Sequence, residues 1–443
     1  MNGRRDFLKC VAGGVVAGFP TILPSSALGR DGNIAPSDKI VMAAIGVGRQ
    51  GSGDMRGFLQ QKDVRMAAIC DVNRATRERI AATVNKQYND TACATYNDYR
   101  EVLGRSDIDA LVIATGERWH QLIAAQAARA GKHMYCEKPL GLSIAAIKAV
   151  REAVNENSVA FQFGTQQRSS FYYRHAVELV RNGRIGELKT IMVGSVRGPN
   201  DTLYGEIKDP PAGFDYDMWL GPAPWAPYSD MRVSIAAWLF ISDYGLGCLD
   251  GAWGIHDIDI AQWVANADHT GPIEVEVDGD ATTFYTDIRD VPHDYTVEHR
   301  YASGAHLIHM DMAAARKRAP EFNSLPSTGA TVIFGTEGWI FVSRDGIVTH
   351  PESLASEKIG PNQIQVIRSN DHKRNLLDAI RSGQKTICDV EVAVRDQTVI
   401  QQEYISISLG RKLRWDPVAE HFVDDAEANK MMMSRPMRSP WHS

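Results

Sequence analysis

Cysteine is scarce in this chain, with six among 443 residues and no paired spacing of the kind that builds a metal site. Loss of an N-terminal segment carrying Cys10 leaves five, and an odd count argues against a disulfide framework. Cys70 and Cys136 end apolar runs, where a cysteine is usually a small buried hydrophobe, so no metal is assigned. Basic charge is not in excess either. Lys and Arg total 48 against 54 Asp and Glu, a net charge of -6, which leaves no field to hold phosphate backbones and argues against nucleic acid as a partner. A small neutral substrate fits better. Repeats and low-complexity tracts are lacking, which disfavours solenoids and disordered tails. What is present is 44% hydrophobic and 23% charged residues, the balance of a soluble globular chain with room for two or three domains.

The first residues follow their own logic. Arg4 and Arg5 precede Asp6-Phe7-Leu8-Lys9, and a small or apolar run follows from Cys10 to Leu23. That run is too short and too rich in glycine to span a bilayer, and Ser25-Ser26-Ala27 offers a small-residue cleavage site. Residues 1–27 therefore read as a removable signal and 28–37 as a linker, with no membrane attachment after cleavage. Arg-Arg-Asp-Phe-Leu-Lys resembles the twin-arginine export signal, with Gly3 where Ser or Thr is usual. The expected partner is the twin-arginine export machinery, which carries folded proteins, and the expected location is periplasmic or otherwise exported. Folding in the cytoplasm would explain free thiols in an exported chain.

From 38 to 165 short apolar runs alternate with longer amphipathic ones, the pattern of parallel strands joined by helices. Strands are expected at Ile40–Ile45, Val64–Ile69, Ala110–Ala114, His133–Cys136 and Ala160–Phe163, in an α/β doubly wound sheet. From 166 to 415 a loop rich in Gly, Pro and Trp is followed by period-two runs such as Tyr295–Tyr301, Ala305–Met312 and Trp339–Ser343. These predict an α+β domain with a large, mainly antiparallel sheet. Helices at Asp371–Ser382 and Val390–Leu409, with Asn370 and Asp389 as cap candidates, are expected to pack back on the first domain. Residues 416–443 read as a wrapping or interface arm.

The turn Gly46-Val47-Gly48-Arg49-Gln50-Gly51 follows a predicted strand directly, opens a helix, and precedes Asp71 at the end of the next strand by the spacing of a dinucleotide site. Gly46 permits the tight turn, Gly48 lets the backbone reach a pyrophosphate, and Gly51 lets the helix lie close to the strand. Asp71 suits the adenosine ribose hydroxyls and repels a 2′-phosphate, which favours NAD; Arg49 and Arg74 leave NADP open.

Two later segments, Ala114-Thr115-Gly116-Glu117-Arg118-Trp119-His120 and Cys136-Glu137-Lys138-Pro139-Leu140, resemble the Gfo/Idh/MocA family, named for glucose-fructose oxidoreductase and inositol dehydrogenase. Further matches at Gly164–Arg168, Trp219–Pro222, Trp253–His256 and Gly410–Pro417 extend the resemblance over nearly the whole mature chain. It implies a Rossmann domain followed by an α+β domain, activity on sugars or polyols, and a homo-oligomer paired through an open sheet face. It also places Lys138 and His256 in catalysis, with Glu137 orienting the lysine or binding the nicotinamide ribose. Beside the resemblance, a lysine on a loop at the sheet's carboxyl edge suits donation to a substrate oxygen, and a histidine suits removal of the hydroxyl proton.

Three departures stand out. The family commonly has aspartate where this chain has Ala252, and Asp259 or Asp250 is a substitute partner for His256. Gly116 replaces a proline, and Glu117 an asparagine or aspartate. Thr115 is placed with the cofactor, and His120 either caps its helix or lies near the cofactor. Gln166 and Arg168 are candidates for substrate hydroxyls. Trp219, Trp238, Tyr228 and Tyr244 are candidates for a sugar-stacking wall or for core filling. His372 is divided in the same way.

Export bears on the chemistry. Without a free nicotinamide pool the cofactor should stay tightly bound and be recycled in place. The expectation is hydride transfer to or from a sugar or cyclitol. The alternatives are an NAD-dependent glycoside hydrolase working by transient oxidation and elimination, and a nucleotide-retaining binding protein without turnover.

Overall fold

Six strands, β1 (Ile40–Ile45), β2 (Val64–Cys70), β3 (Ala94–Tyr96), β4 (Ala110–Ile113), β5 (His133–Cys136) and β6 (Phe161–Phe163), form one parallel sheet in the order 3-2-1-4-5-6. The computed structural model describes residues 34–433 and 435–441; the expected signal and cleavage point lie outside these residues. The strand order reverses between β1 and β4, so the loops after these two strands open a crevice at the sheet's carboxyl edge. Apolar runs such as Ala-Leu-Val-Ile in β4, buried throughout, are what a sheet covered on both faces requires. The three-residue β3 was not expected. It is too short to show a period, and its central Thr95 is exposed.

The second sheet has nine strands and is mixed. It comprises β7 (Leu188–Ser195), β8 (Glu274–Val277), β11 (Thr296–Arg300), β12 (His306–Asp311), β13 (Ala330–Gly335), β14 (Trp339–Ser343), β15 (Gly346–His350), β16 (Leu413–Asp416) and β17 (His421–Phe422). Only β7 and β12 pair in parallel; a separate two-stranded ribbon joins β9 (Thr283–Phe284) and β10 (Pro292–Asp294). Period two decides the layers. Ile191, Val193, Leu307 and Ile333 face the main core, whereas Ile308, Met310, Ala330, Val332 and Phe341 form a second cluster under Met312, Ala315 and Phe322. Part of the face expected to be open is thus covered within the chain by the Met312–Arg318 helix.

The helices at His372–Ser382 and Val390–Leu409 return to the first sheet. Leu376 and Leu377 join its core, and Arg374 pairs with Asp63 at 2.7 Å. The first of these helices is capped by Asp371, which accepts from the amides of Lys373 and Arg374, rather than by Asn370. The arm also folds back. The Trp441 ring meets Trp119 edge-on at 5.0 Å, and Arg438 pairs with Asp217 at 2.6 Å.

Candidate active site

The glycine turn does what its sequence requires. Gly46 has φ +79, and a Cβ there would stand 2.5 Å from the Ala114 carbonyl; a Cβ on Gly51 would stand 2.0 Å from the Gly46 carbonyl. At Gly48 nothing lies within 4 Å of that position, so the backbone is open to an approaching group. Gly48 also begins the Arg49–Leu59 helix with no side-chain cap, which leaves first-turn N–H groups to meet an anion. Asp71 is braced by the amides of Val47 and Asn73, both at 2.8 Å. Gly46, Gly48, Gly51, Asp71 and Asn73, with Arg49, Gln50, Thr115 and Arg118, line a cavity of about 450 Å³.

The second domain roofs this cavity. Phe214, Met218, Trp219, Val233, Ile235 and Trp238 complete its wall. The segment 213–220 is tied down at both ends. Near its start, Arg74 N–H donates to the Gly213 carbonyl at 2.9 Å, Asp215 N–H donates to the Val72 carbonyl at 3.0 Å, and Asn97 Nδ2 donates to Asp215 Oδ2 at 2.7 Å. At its end, Trp119 Nε1 donates to the Met218 carbonyl at 3.1 Å, and Arg118 donates to the carbonyls of Trp219 and Leu220. The Arg118 guanidinium also stacks on the rings of Trp219 and Tyr244, at 4.3 and 4.7 Å.

Beyond the crevice the loop after β5 presents Lys138, whose peptide bond to Pro139 is cis. Lys138 Nζ donates to the Gly251 carbonyl at 2.7 Å. Glu137 is buried; it accepts from Gln50 and Tyr135, both at 3.3 Å, and from the Lys138 amide at 3.2 Å. Burial first, then the neighbouring Asp54 charge, pushes its carboxyl up to about 7. His256 lies on the fully buried Gly254–Val264 helix, and its Nδ1 has no hydrogen-bond partner. Burial, then the Lys138 charge, holds this imidazole well below the usual histidine range, and therefore neutral. The Lys138 charge is thus felt at His256.

His120 ties two loops. Its Nε2 accepts from the Thr115 amide at 3.1 Å, so Nδ1 carries the proton and donates to the Pro139 carbonyl at 2.6 Å. Of the two readings, this is the one near the cofactor turn, and the imidazole links the β4 and β5 loops rather than capping the helix.

Four expected roles are corrected. Asp259 does not orient His256. It is fully buried and needs a cation, which Arg168 supplies at 2.6 Å. Arg168 is correspondingly withdrawn from substrate, pairing also with Asp268 at 2.9 Å and lying against the Trp263 ring. Tyr244 is buried behind Trp219 rather than facing the cavity, and its hydroxyl accepts from Arg232 at 3.2 Å. Gln166 sits half-buried beside Arg168, outside the cavity lining. Tyr228 packs on Tyr216 and bonds Asp230; His372 meets the Phe163 carbonyl at 2.7 Å and the Ser169 hydroxyl at 2.9 Å. Both are structural. Trp219 and Trp238 do line the cavity. Asn97, Arg118 and Phe214 were not singled out from sequence: Asn97 and Phe214 come from segments with no motif, and Arg118, inside the 114–120 motif, was given no role of its own.

A parallel 3-2-1-4-5-6 sheet with this glycine turn and acidic strand end defines a dinucleotide-binding oxidoreductase fold. Residues 40–165 match the oxidoreductase family's NAD-binding Rossmann fold, and residues 176–443 match its C-terminal alpha/beta domain. The chain belongs to the Gfo/Idh/MocA oxidoreductase family. It is similar to the alpha-N-acetylgalactosaminidase of Shewanella oneidensis, at 33% identity over 205 residues, covering 42% of this chain and 44% of the relative. It is also similar to glycosyl hydrolase family 109 protein 1 of Shewanella sp. strain MR-4, at 32% with the same coverage. The chain therefore matches less than half the length of these relatives. Among solved structures, the aldose-aldose oxidoreductase from Caulobacter crescentus matches with TM-score 0.60 and 19% identity, covering 85% of this chain and 99% of that one. The WlbA dehydrogenase from Bordetella pertussis, in complex with NADH and UDP-GlcNAcA, matches with TM-score 0.58 and 16% identity at the same coverage. These likenesses carry the fold.

Proposed function

We propose that this protein oxidises a sugar or cyclitol carbon using NAD that stays bound, and returns the hydride within the same catalytic cycle. The observation that carries the reading is the roof of 213–220, hydrogen-bonded across the crevice at both ends, which obstructs escape of a dinucleotide seated on the glycine turn. Asp71 favours NAD over NADP, because its carboxylate repels a 2′-phosphate. When bound, the nicotinamide supplies the hydride acceptor. Lys138 is held by Gly251 with N–H groups to spare, and polarises the substrate oxygen. His256, neutral and with an Nδ1 that has no partner in the protein, is free to hydrogen-bond the substrate hydroxyl, while burial and the Lys138 charge oppose its becoming an imidazolium.

A second reading is favoured by the names of the curated relatives. Transient oxidation acidifies the neighbouring C–H, a glycosidic substituent is eliminated, water adds, and the hydride returns. The two are separated by incubating purified protein with sugars and aryl glycosides, without added NAD. Stoichiometric reduction of the bound cofactor by a free sugar supports the first reading; glycoside cleavage with unchanged cofactor supports the second. Neither result would leave a binding protein without turnover.

We further read the N-terminus as an export signal, so that replacing Arg4 and Arg5 by lysine should hold the precursor in the cytoplasm, read by cell fractionation. Homo-oligomerisation is likewise proposed, to be tested by light scattering.

A further inference from the structure

Arg118 is a buried cation with hydrogen-bonding capacity left over. The residue is 4% exposed, and no carboxylate among the described residues forms an ion pair with it; the adjacent Glu117 lies instead against Gly245 and Gly251. The guanidinium is fixed in place. Nε donates to the Leu220 carbonyl at 3.3 Å, Nη2 donates to the Trp219 carbonyl at 2.7 Å, and the rings of Trp219 and Tyr244 lie against it. These contacts use one hydrogen of Nη2 and none of Nη1.

The unused nitrogen borders the cavity. A Cβ on Gly116 would stand 3.0 Å from Nη1 and 3.7 Å from the Trp238 ring, so the lack of a side chain there leaves Nη1 uncovered. Gly116, Arg118, Trp219 and Trp238 all line the cavity. The fold sets their place in it. Asp71 follows β2 and marks the adenosine end of a dinucleotide crevice, whereas Gly116 and Arg118 follow β4, across the glycine turn. A pyrophosphate has its own seat at Gly48 and the uncapped start of the Arg49–Leu59 helix. Arg118 therefore stands at the nicotinamide end, where substrate must meet the cofactor.

An unpaired guanidinium withdrawn from water is costly. Carbonyl dipoles and aromatic rings offset part of that cost, and burial pushes the group down to about 10, still charged at neutral pH. An anion on Nη1 and the remaining Nη2 hydrogen completes its partners, in the two-pronged geometry that suits a carboxylate. We propose that Arg118 binds the carboxylate of a sugar acid, and that the substrate is a uronic acid or its glycoside with its ring beside Trp238. This rests on the reading of a sugar-oxidising site at the glycine turn. A net charge of -6 does not register one buried cation, so the neutral substrate expected from composition gives way here to an acidic one.

The test uses the full-length protein with NAD added to saturation. Titration calorimetry compares D-glucuronate, D-galacturonate and D-mannuronate with glucose, galactose and mannose. At least one acid should bind about tenfold or more tightly than its neutral parent, the worth of a charge-assisted hydrogen bond. In Arg118→Gln that preference should vanish; Arg118→Lys, which keeps the charge but not the fork, should retain part of it. A merely structural arginine leaves the ratio of the two affinities unmoved. Circular dichroism and released nucleotide report the folding and cofactor content of each variant, and if neither variant folds the wild-type comparison decides. Equal affinity for every acid and its parent, or binding of none, overturns the proposal. An unchanged preference in Arg118→Gln overturns it too, and loss of nucleotide from that variant then identifies the cofactor's pyrophosphate as the anion. Failure of the redox reading looks different: an acid binds through Arg118, yet it neither reduces the bound NAD nor is cleaved as its aryl glycoside. Reduction by a neutral sugar with no preference for acids leaves the redox reading standing and removes the carboxylate site.

Discussion

His256 and His120 show how burial selects a residue's chemistry, each imidazole being held neutral. Lys138→Ala should abolish turnover while leaving NAD bound, as read from released nucleotide; full activity would remove Lys138 from the mechanism. His120 makes a different prediction. Burial holds its imidazole at about 4, against an ordinary histidine value of 6.5. The folded state then binds fewer protons than the unfolded state between these values, so His120 contributes stability that is complete above about pH 6.5 and lost as pH falls toward 4. The loss amounts to about 3 kcal/mol. Urea unfolding of wild type and His120→Gln from pH 7 to 4.5 should give a stability gap that narrows with acidification. A constant gap would show that His120 does not titrate as inferred. Arg168→Met should destabilise the fold by about 3 to 5 kcal/mol, because it leaves Asp259 buried without its cation. The cost should appear in urea midpoints even if turnover per folded molecule is unchanged.

At the scale of elements, the strap of 213–220 matters more than any one contact within it. Asp215 both caps the short Tyr216–Leu220 helix and accepts from Asn97, so Asp215→Ala loosens its start at two points. The expected outcome is faster loss of bound cofactor on dilution and gel filtration, by about tenfold for a lost charge-assisted bond of about 1.5 kcal/mol. Gly221 closes the strap with φ +58, where a Cβ would stand 2.3 Å from the Trp119 ring. Gly221→Ala should therefore release the cofactor more completely than Asp215→Ala. Equal retention by both variants would show that the strap does not hold it.

Across the whole molecule, the C-terminal arm, the strap and the first domain support one another. Arg438 binds Asp217 and the Gly221 carbonyl, and Trp441 packs against Trp119, whose indole N–H holds the strap. Deleting residues 435–443 should thus weaken cofactor retention although none of the arm's described residues lines the cavity. Bound NAD should in turn raise Tm, since a ligand that binds only the folded state stabilises it by mass action. Melting curves of the full and shortened chains, with and without added NAD, measure both effects.

The local signals lay in the sequence itself. Gly46, Gly48, Gly51 and Asp71 specify their site through backbone freedom and spacing along one βαβ unit, and period-two runs specify the second sheet, because these depend on residues close in the chain. Which distant residues meet was decided by packing. Asp259, three positions from His256, turns to Arg168 because a buried carboxylate takes the nearest cation, and sequence offers no measure of that distance. Glu117 and Gly251, far apart in the chain, approach each other only where the first domain meets the turn before the Gly254–Val264 helix. The roof over the glycine turn is likewise a tertiary product, built from a Gly- and Pro-rich loop whose path is set by hydrogen bonds to Val72, Arg74 and Asn97 rather than by any period of its own.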